Sequence, residues 1–97
     1  MHRDDVIGLL FDKDKSADGH TIWRYTGSTK GMDYAYMRVY ENKQRFFWGV
    51  DVNNKLAAGE MVSVTNTGES PSSSAAMLDC LDSFERAVAM INGAINE

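Results

Sequence analysis

The chain has 97 residues, of which 43% are apolar and 25% are charged. That length suffices for one domain with a modest core, but not for a deep catalytic cleft beside a separate cofactor domain. Its 14 acidic and 10 basic residues give a net charge of −4, which disfavours binding to nucleic-acid backbones. We therefore expect a single folded domain spanning residues 1–97.

The N-terminus and the single cysteine predict a cytoplasmic protein. Asp4 and Asp5 stand where a signal peptide needs basic residues, and Cys80 cannot form an intramolecular disulfide. No apolar run approaches the roughly 20 residues that a membrane-spanning helix needs. The sequence therefore predicts neither export nor contact with a membrane.

The first twenty residues predict a short N-terminal helix followed by a loop. Two aspartates precede a run of apolar residues, and acidic side chains favour the first turn of a helix, so we expect a helix over residues 3–11. The stretch DKDKSADG, residues 12–19, predicts a charged loop. Its alternating oxygen donors resemble half of a calcium loop, but Tyr25 stands where that loop needs a glutamate. A plain turn is the preferred interpretation.

Four antiparallel strands are predicted between residues 21 and 65. Residues 21–26 are rich in β-branched and aromatic side chains, and residues 34–41 alternate between the two faces of a strand. Residues 45–52 and 60–65 continue the same type of pattern. The sequence therefore predicts a four-stranded antiparallel sheet over residues 21–65.

The second and third predicted strands form a hairpin. A two-residue turn at Asn42 and Lys43 predicts three apolar pairs, which are Val39 with Phe46, Met37 with Trp48, and Ala35 with Val50. The same register places Tyr36 opposite Gly49. A slip of one residue would turn every apolar side chain to the other face, so the alternation strongly restricts the pairing.

A polar linker over residues 65–74 precedes a predicted C-terminal helix over residues 74–96. Apolar residues recur there at spacings of three and four, and they form one stripe: Met77, Leu81, Phe84, Val88, Ile91 and Ile95. The stripe predicts that this helix packs on one face of the sheet. The predicted fold class is therefore α+β, with the C-terminal amphipathic helix and a short N-terminal helix added to the four strands.

Residue types that carry catalysis or bind metals are sparse. His2 and His20 have neither a nearby nucleophile nor a metal-ligand spacing. Cys80 flanks the apolar stripe of the helix, which is typical of a small core residue. We therefore expect no enzyme activity, no catalytic residue, no metal and no cofactor.

The side of the predicted sheet that faces away from the C-terminal helix, here called the outer face, is the candidate partner-binding surface. Its predicted members share one strand parity, and they are Tyr34, Tyr36, Arg38, Tyr40, Arg45, Phe47 and Asp51. Tyrosine and arginine are enriched at binding hot spots. Three interpretations stay open: a partner protein binds there, the N-terminal helix or a second copy in a homodimer covers the face, or single-stranded nucleic acid stacks on it.

Residues between Trp23 and Asp51 resemble those of a known family. The similarity runs without gaps through Ser28-Thr29, Tyr34, the block Val39-Tyr40-Glu41-Asn42, and Val50, with Asp51 in place of a glutamate. It breaks at Val52, where the family has an asparagine, and weaker similarity resumes at Leu81, Glu85, Ala87 and Ile91. The family is that of the small phage-encoded type I-F anti-CRISPR inhibitors, which fold as a sheet with helices and bind the repeated backbone subunit of the CRISPR surveillance complex.

The resemblance implies a non-catalytic inhibitor that acts in the cytoplasm of a host bacterium. It would bind the backbone subunit of a type I CRISPR surveillance complex and sterically block recognition of target DNA. Of the family's contact residues, a tyrosine matches Tyr40 and an acidic residue matches Asp51, whereas a further contact tyrosine of the family corresponds to Thr26 in this chain. The first twenty residues have no counterpart. The predicted partner-binding residues are Tyr40, Asp51, Tyr36, Arg38, Tyr34 and Phe47, with no direct contact to nucleic acid.

Overall fold

The computed structural model describes residues 7–95, in which a 3-10 helix and five strands precede one long helix. In chain order the elements are the 3-10 helix Ile7–Leu10, β1 Phe11–Lys15, β2 Thr21–Tyr25, β3 Tyr34–Asn42, β4 Arg45–Lys55, β5 Met61–Ser70 and α1 Ser73–Ile95. Each strand pairs antiparallel with the next, so the sheet has the order β1-β2-β3-β4-β5. The predicted α+β class is confirmed, but the sheet has five strands rather than four.

The helix α1 packs across β3, β4 and β5 on one face of the sheet. The buried residues of the sheet lie on alternate positions, which are Met37 and Val39 on β3 and Val50 and Val52 on β4. The helix contributes a stripe of buried residues, which are Ala76, Met77, Cys80, Leu81, Phe84, Ala87 and Ile91. The predicted stripe is thus confirmed, with Val88 packed at its margin. The side chain of Ile95 lies outside the described part of the chain.

The hairpin between β3 and β4 has the predicted faces but a different register. The turn residues are Lys43 and Gln44, both with positive φ, and Asn42 still pairs with Arg45. Two successive residues with positive φ are typical of a type I′ turn, for which Asn-Gly is the usual signal, so Asn42 marked the turn one position too early.

The difference in register amounts to two residues. The observed pairs are Val39 with Trp48, Met37 with Val50, Ala35 with Val52, Tyr36 with Asp51, and Arg38 with Gly49. The predicted pairs, including Tyr36 with Gly49, are therefore wrong. Because side chains alternate with a period of two, a two-residue shift leaves every side chain on its predicted face.

Residues 7–20 fold differently from the prediction. Residues 3–6 of the predicted helix over residues 3–11 lie outside the described part of the chain. The remainder forms the 3-10 helix Ile7–Leu10, and Phe11 already belongs to β1. The predicted charged loop over residues 12–19 is a strand through Lys15 followed by a turn closed by Gly19, whose φ is +84°. Charged side chains hid this strand, since all four residues after Phe11 are charged and exposed.

The predicted polar linker over residues 65–74 is mostly strand. β5 continues to Ser70, and ten consecutive residues pair with β4 without a bulge. The error arises because residues 46–50 of β4 pair with residues 66–70. This pairing forms a strand from a polar segment, most of whose residue types have low strand propensity. The helix then begins at Ser73, one residue before the predicted start, and the hydroxyl of Ser72 accepts a hydrogen bond from the Ala75 amide at 3.1 Å.

Polar contacts fix α1 along β5. The Ser70 hydroxyl donates to the Asp79 carboxylate, and the Asn66 amide donates to the Ser83 hydroxyl at 3.1 Å. These bonds join the last half of the strand to the first half of the helix. Since β5 and α1 run in opposite directions, the later residues of α1 follow the earlier residues of β5.

Gly68 on β5 is required by the packing of Trp48. A Cβ atom at Gly68 would lie 2.6 Å from the indole ring of Trp48, which is closer than real Cβ contacts. Gly49, on the neighbouring strand β4, offers a contrast, since the nearest atom to its hypothetical Cβ is Thr67 Cγ2 at 3.9 Å. The ring of Trp48 therefore leaves no room for a side chain at position 68, whereas position 49 has room for one.

We expect Gly68→Ala to lower the free energy of unfolding by about 1–3 kcal/mol, because the indole ring must shift to admit the methyl group. Gly49→Ala is the matched control, and it should leave the stability unchanged or raise it, because alanine suits a strand better than glycine. Urea unfolding followed by tryptophan fluorescence measures both. Equal stability of the two variants would contradict the packing described for Trp48.

Candidate partner-binding face

The outer face lies on the side of the sheet opposite α1. Tyr34 and Tyr36 are 46% and 40% exposed, whereas their neighbours Met37 and Val39 are buried against the helix. The 3-10 helix does not cover this face, since Ile7 is buried in the same core as α1. Among residues 7–95, therefore, no element lies over the outer face, and the interpretation in which N-terminal residues cover it receives no support from them.

Arg38 stands between two tyrosines on β3. Its guanidinium carbon lies 5.8 Å from the ring centre of Tyr36 and 5.4 Å from that of Tyr40. Both distances are within the range of cation–π attraction. Alternation along one strand places residues 36, 38 and 40 in a row, and the guanidinium of Arg38 therefore contacts the tyrosine ring on each side.

The row continues across the hairpin onto β4. Tyr40 is directly opposite Phe47, and the two rings stack with centres 5.2 Å apart and planes 22° apart. The guanidinium of Arg45 lies 5.3 Å from the Phe47 ring centre and donates two hydrogen bonds of 2.7 Å to Glu69 on β5. These hydrogen bonds lower the pKa of Glu69, so the pair remains ionised.

A shallow depression lies beside this row because Gly49 has no side chain. Gly49 pairs with Arg38 on one side and Thr67 on the other. The depression is lined mainly by Arg38, Tyr40, Phe47, Gly49, Thr67 and Glu69. It is open to solvent, so a protruding side chain of a partner can enter it.

Asp51 lies at the other end of the outer face. It is opposite Tyr36 on β3, and its carboxylate accepts a hydrogen bond of 3.2 Å from the Thr65 hydroxyl on β5. The structure therefore places all seven predicted residues of the outer face on one side of the sheet. It brings Tyr36, Arg38, Tyr40, Arg45 and Phe47 into one connected row, with Asp51 beside Tyr36 and Tyr34 at the end of β3.

Sequence reasoning missed the contribution of the flanking strands. Ile22 and Arg24 on β2 share the outer face, since they pair with Tyr40 and Arg38. On β5 the residues of the outer face are Thr65, Thr67 and Glu69. Thr65 was the last residue of the predicted strand, whereas Thr67 and Glu69 were missed because they were assigned to a linker, although the alternation of threonines at positions 65 and 67 is a strand signal.

Within residues 7–95, no three His, Cys, Asp or Glu side chains come together so that they could hold a metal ion. His20 lies at the start of β2, and His2 is outside the described residues. In the same described part, no helix is both long enough and apolar enough to cross a bilayer.

Cys80 is buried beneath the centre of the outer face. Its sulfur lies 3.6 Å from the carbonyl oxygen of Gly49 and 3.9 Å from that of Arg38, on the α1 side of the sheet. Burial raises the pKa of the Cys80 thiol from 9.0 to about 12, because the thiolate would lose its solvation. The predicted role as a small core residue is confirmed.

The chain matches no family model, and no curated protein or solved structure is significantly similar to it.

We expect the stability of the protein to fall between pH 9 and pH 12, because the unfolded chain releases the thiol proton there while the folded chain retains it. The loss due to Cys80 is at most about 1.4 kcal/mol per pH unit. Cys80→Ala removes this contribution, so its stability should decline less steeply over the same range. Parallel slopes for the two proteins in urea unfolding would contradict the burial of the thiol.

Proposed function

We propose that this chain is a non-catalytic inhibitor that binds a type I CRISPR surveillance complex through the outer face and blocks recognition of target DNA. The single observation that carries the proposal is the row of tyrosines, arginines and phenylalanine on a sheet face that no other element of residues 7–95 covers, with Tyr40 in the centre of the row and Asp51 beside Tyr36 at its end. The resemblance of residues 23–51 to the type I-F inhibitors supplies the choice of partner.

The row is suited to protein recognition because it is already ordered. Arg38 is held by two aromatic rings, and Tyr40 is held by its stack on Phe47. Ordering a long side chain on binding commonly costs about 0.5–1.5 kcal/mol. A side chain that is held before binding avoids much of this cost, so Tyr40 and Arg38 are suited to act as anchors.

Two charges on the outer face are available to a partner. Arg45 is satisfied by Glu69, whereas neither Arg38 nor Asp51 has an ion-pair partner within residues 7–95. The backbone subunit of a surveillance complex holds a guide RNA and therefore carries basic residues at its nucleic-acid surface. In this proposal, Asp51 contacts such basic residues and Tyr40 fills a neighbouring pocket.

The mechanism follows from occupancy rather than from chemistry. A protein seated on the guide-bound surface of the backbone subunit excludes the incoming DNA strand from the same space. Inhibition is therefore expected to be stoichiometric and to require no turnover.

The direct test is binding of target DNA by a purified type I-F surveillance complex, measured by gel shift with and without saturating protein. We expect the wild-type chain to abolish binding, and we expect Tyr40→Ala to weaken inhibition about 30-fold, which corresponds to about 2 kcal/mol at a hot spot. Asp51→Lys should weaken it comparably. Circular dichroism of each variant confirms that it is folded.

The matched control for Asp51→Lys is Glu85→Lys, which makes the same charge change on the exposed side of α1, across the sheet from the outer face. It should inhibit like the wild type. Full DNA binding at saturating wild-type protein would contradict the choice of partner. Equal inhibition by Tyr40→Ala, Asp51→Lys and Glu85→Lys would contradict the proposal that the outer face binds the complex.

Nucleic-acid binding by the same face is disfavoured by its charges. Aromatic rings interleaved with arginines are typical of single-strand binders, but Asp14, Asp51 and Glu69 lie on the same face of the sheet as these rings. Asp14 and Glu69 pair with Arg24 and Arg45. If the face nevertheless stacked bases, oligonucleotides would bind at low salt and dissociate steeply as salt rises. We expect no oligonucleotide binding by fluorescence anisotropy at low salt.

A further inference from the structure

The two edges of the sheet are built differently. β1 forms one edge with five residues, four of which are charged, and short charged edges resist pairing with other strands. β5 forms the other edge with ten residues, of which only Glu69 is charged, and it contains neither proline nor a bulge. One edge is protected and the other is open to strand addition.

The side of α1 along β5 carries exposed residues that extend this edge. Asp79 and Ser83 face β5, since both bond to it. Arg86 and Met90 follow Asp79 by seven and eleven residues, close to two and three turns at about 3.6 residues per turn. They therefore lie on the same side of the helix, and Met90 is 64% exposed.

We propose that β5 is a self-association edge, along which a second copy of this chain adds antiparallel to form one continuous sheet. This surface is distinct from the outer face. The pairing is isologous, and its two-fold axis is perpendicular to the sheet, because such an axis pairs β5 with the same strand of the other copy and keeps both helices on one side. The axis lies near Asn66, the sixth of the ten residues of β5. Paired residues then share a face, as antiparallel strands require.

The charges of β5 and α1 agree with a second copy as the occupant. With the axis at Asn66, Glu69 lies opposite Ser63 of the other copy, so the only charge in the strand never meets its own equivalent. Ser83 lies near the same axis, because it bonds to Asn66. Arg86 of one copy is then directed toward Asp79 of the other, and the reverse contact forms by symmetry.

The space between the two helices suits these side chains. Each helix crosses β3, β4 and β5, and the two helices would be about three strand spacings, or about 14 Å, apart. Directly packed helices lie only about 8–10 Å apart. Long side chains such as Arg86 and Met90 therefore bridge the gap, and half-buried Val62 and Val64 gain cover at the strand edge.

The test is sedimentation velocity of the full chain across micromolar concentrations, with two charge-reversal variants, Arg86→Asp and Asp79→Arg. We expect the wild type to dimerise and each variant alone to associate at least about tenfold more weakly, because like charges then meet at both contacts. An equimolar mixture of the two variants should form a heterodimer, since both contacts are again complementary. Glu85→Lys, on another side of α1, should dimerise like the wild type.

Hydrogen exchange provides a second measurement that does not depend on any variant. Dimerisation should slow exchange at alternate amides of β5 as the concentration rises, and it should leave β1 unchanged. A wild-type chain that stays monomeric would overturn the inference. So would a dimer that is insensitive to both reversals or abolished by Tyr36→Glu, since the outer face would then be the interface. Tyr40→Ala should dimerise normally, because Tyr40 lies on the outer face. Loss of dimerisation and loss of inhibition can therefore be measured independently.

Discussion

The burial of alternate residues of β3 and β4 beneath α1 is the constraint on which the rest of the structure depends. Met37, Val39, Val50 and Val52 are buried there, and each such side chain contributes about 1.5–3 kcal/mol by its removal from water. Because neighbouring residues of a strand face opposite sides, this burial directs Tyr36, Arg38 and Tyr40 to the outer face. The core and the candidate binding surface are therefore two consequences of one alternating pattern.

The pattern also explains which sequence-based expectations succeeded. The faces of β3 and β4 and the stripe of α1 were predictable, because they follow from periods of about 2 and 3.6 residues that the apolar side chains mark directly. The hairpin register was not, because Lys43 and Gln44 adopt a turn geometry that their residue types do not signal. Because the register differs by two residues, an even number, every residue of the outer face still lies on its predicted side of the sheet.

The two missed strand segments have opposite physical causes. β1 escaped prediction because its charges protect an edge, and such charges are also typical of a loop. The second half of β5 escaped because its strand state depends on pairing with β4, a contact distant in sequence. The ion pair between Arg45 on β4 and Glu69 on β5 could therefore not be predicted from the sequence, since it depends on the pairing of these two strands. The local alternation of residues therefore predicts the two faces of the sheet, whereas the length of its strands depends on pairing between segments that are distant in sequence.

The central claim is that the outer face recognises a partner, and the most direct measurement is a hydrogen-exchange footprint of the chain with and without the purified type I-F surveillance complex. The account predicts that exchange slows in the facing segments of β3 and β4, around Tyr40 and Asp51, while the exposed side of α1 is unchanged. Slowed exchange on α1 with none on β3 and β4, or an unchanged pattern throughout, would contradict it.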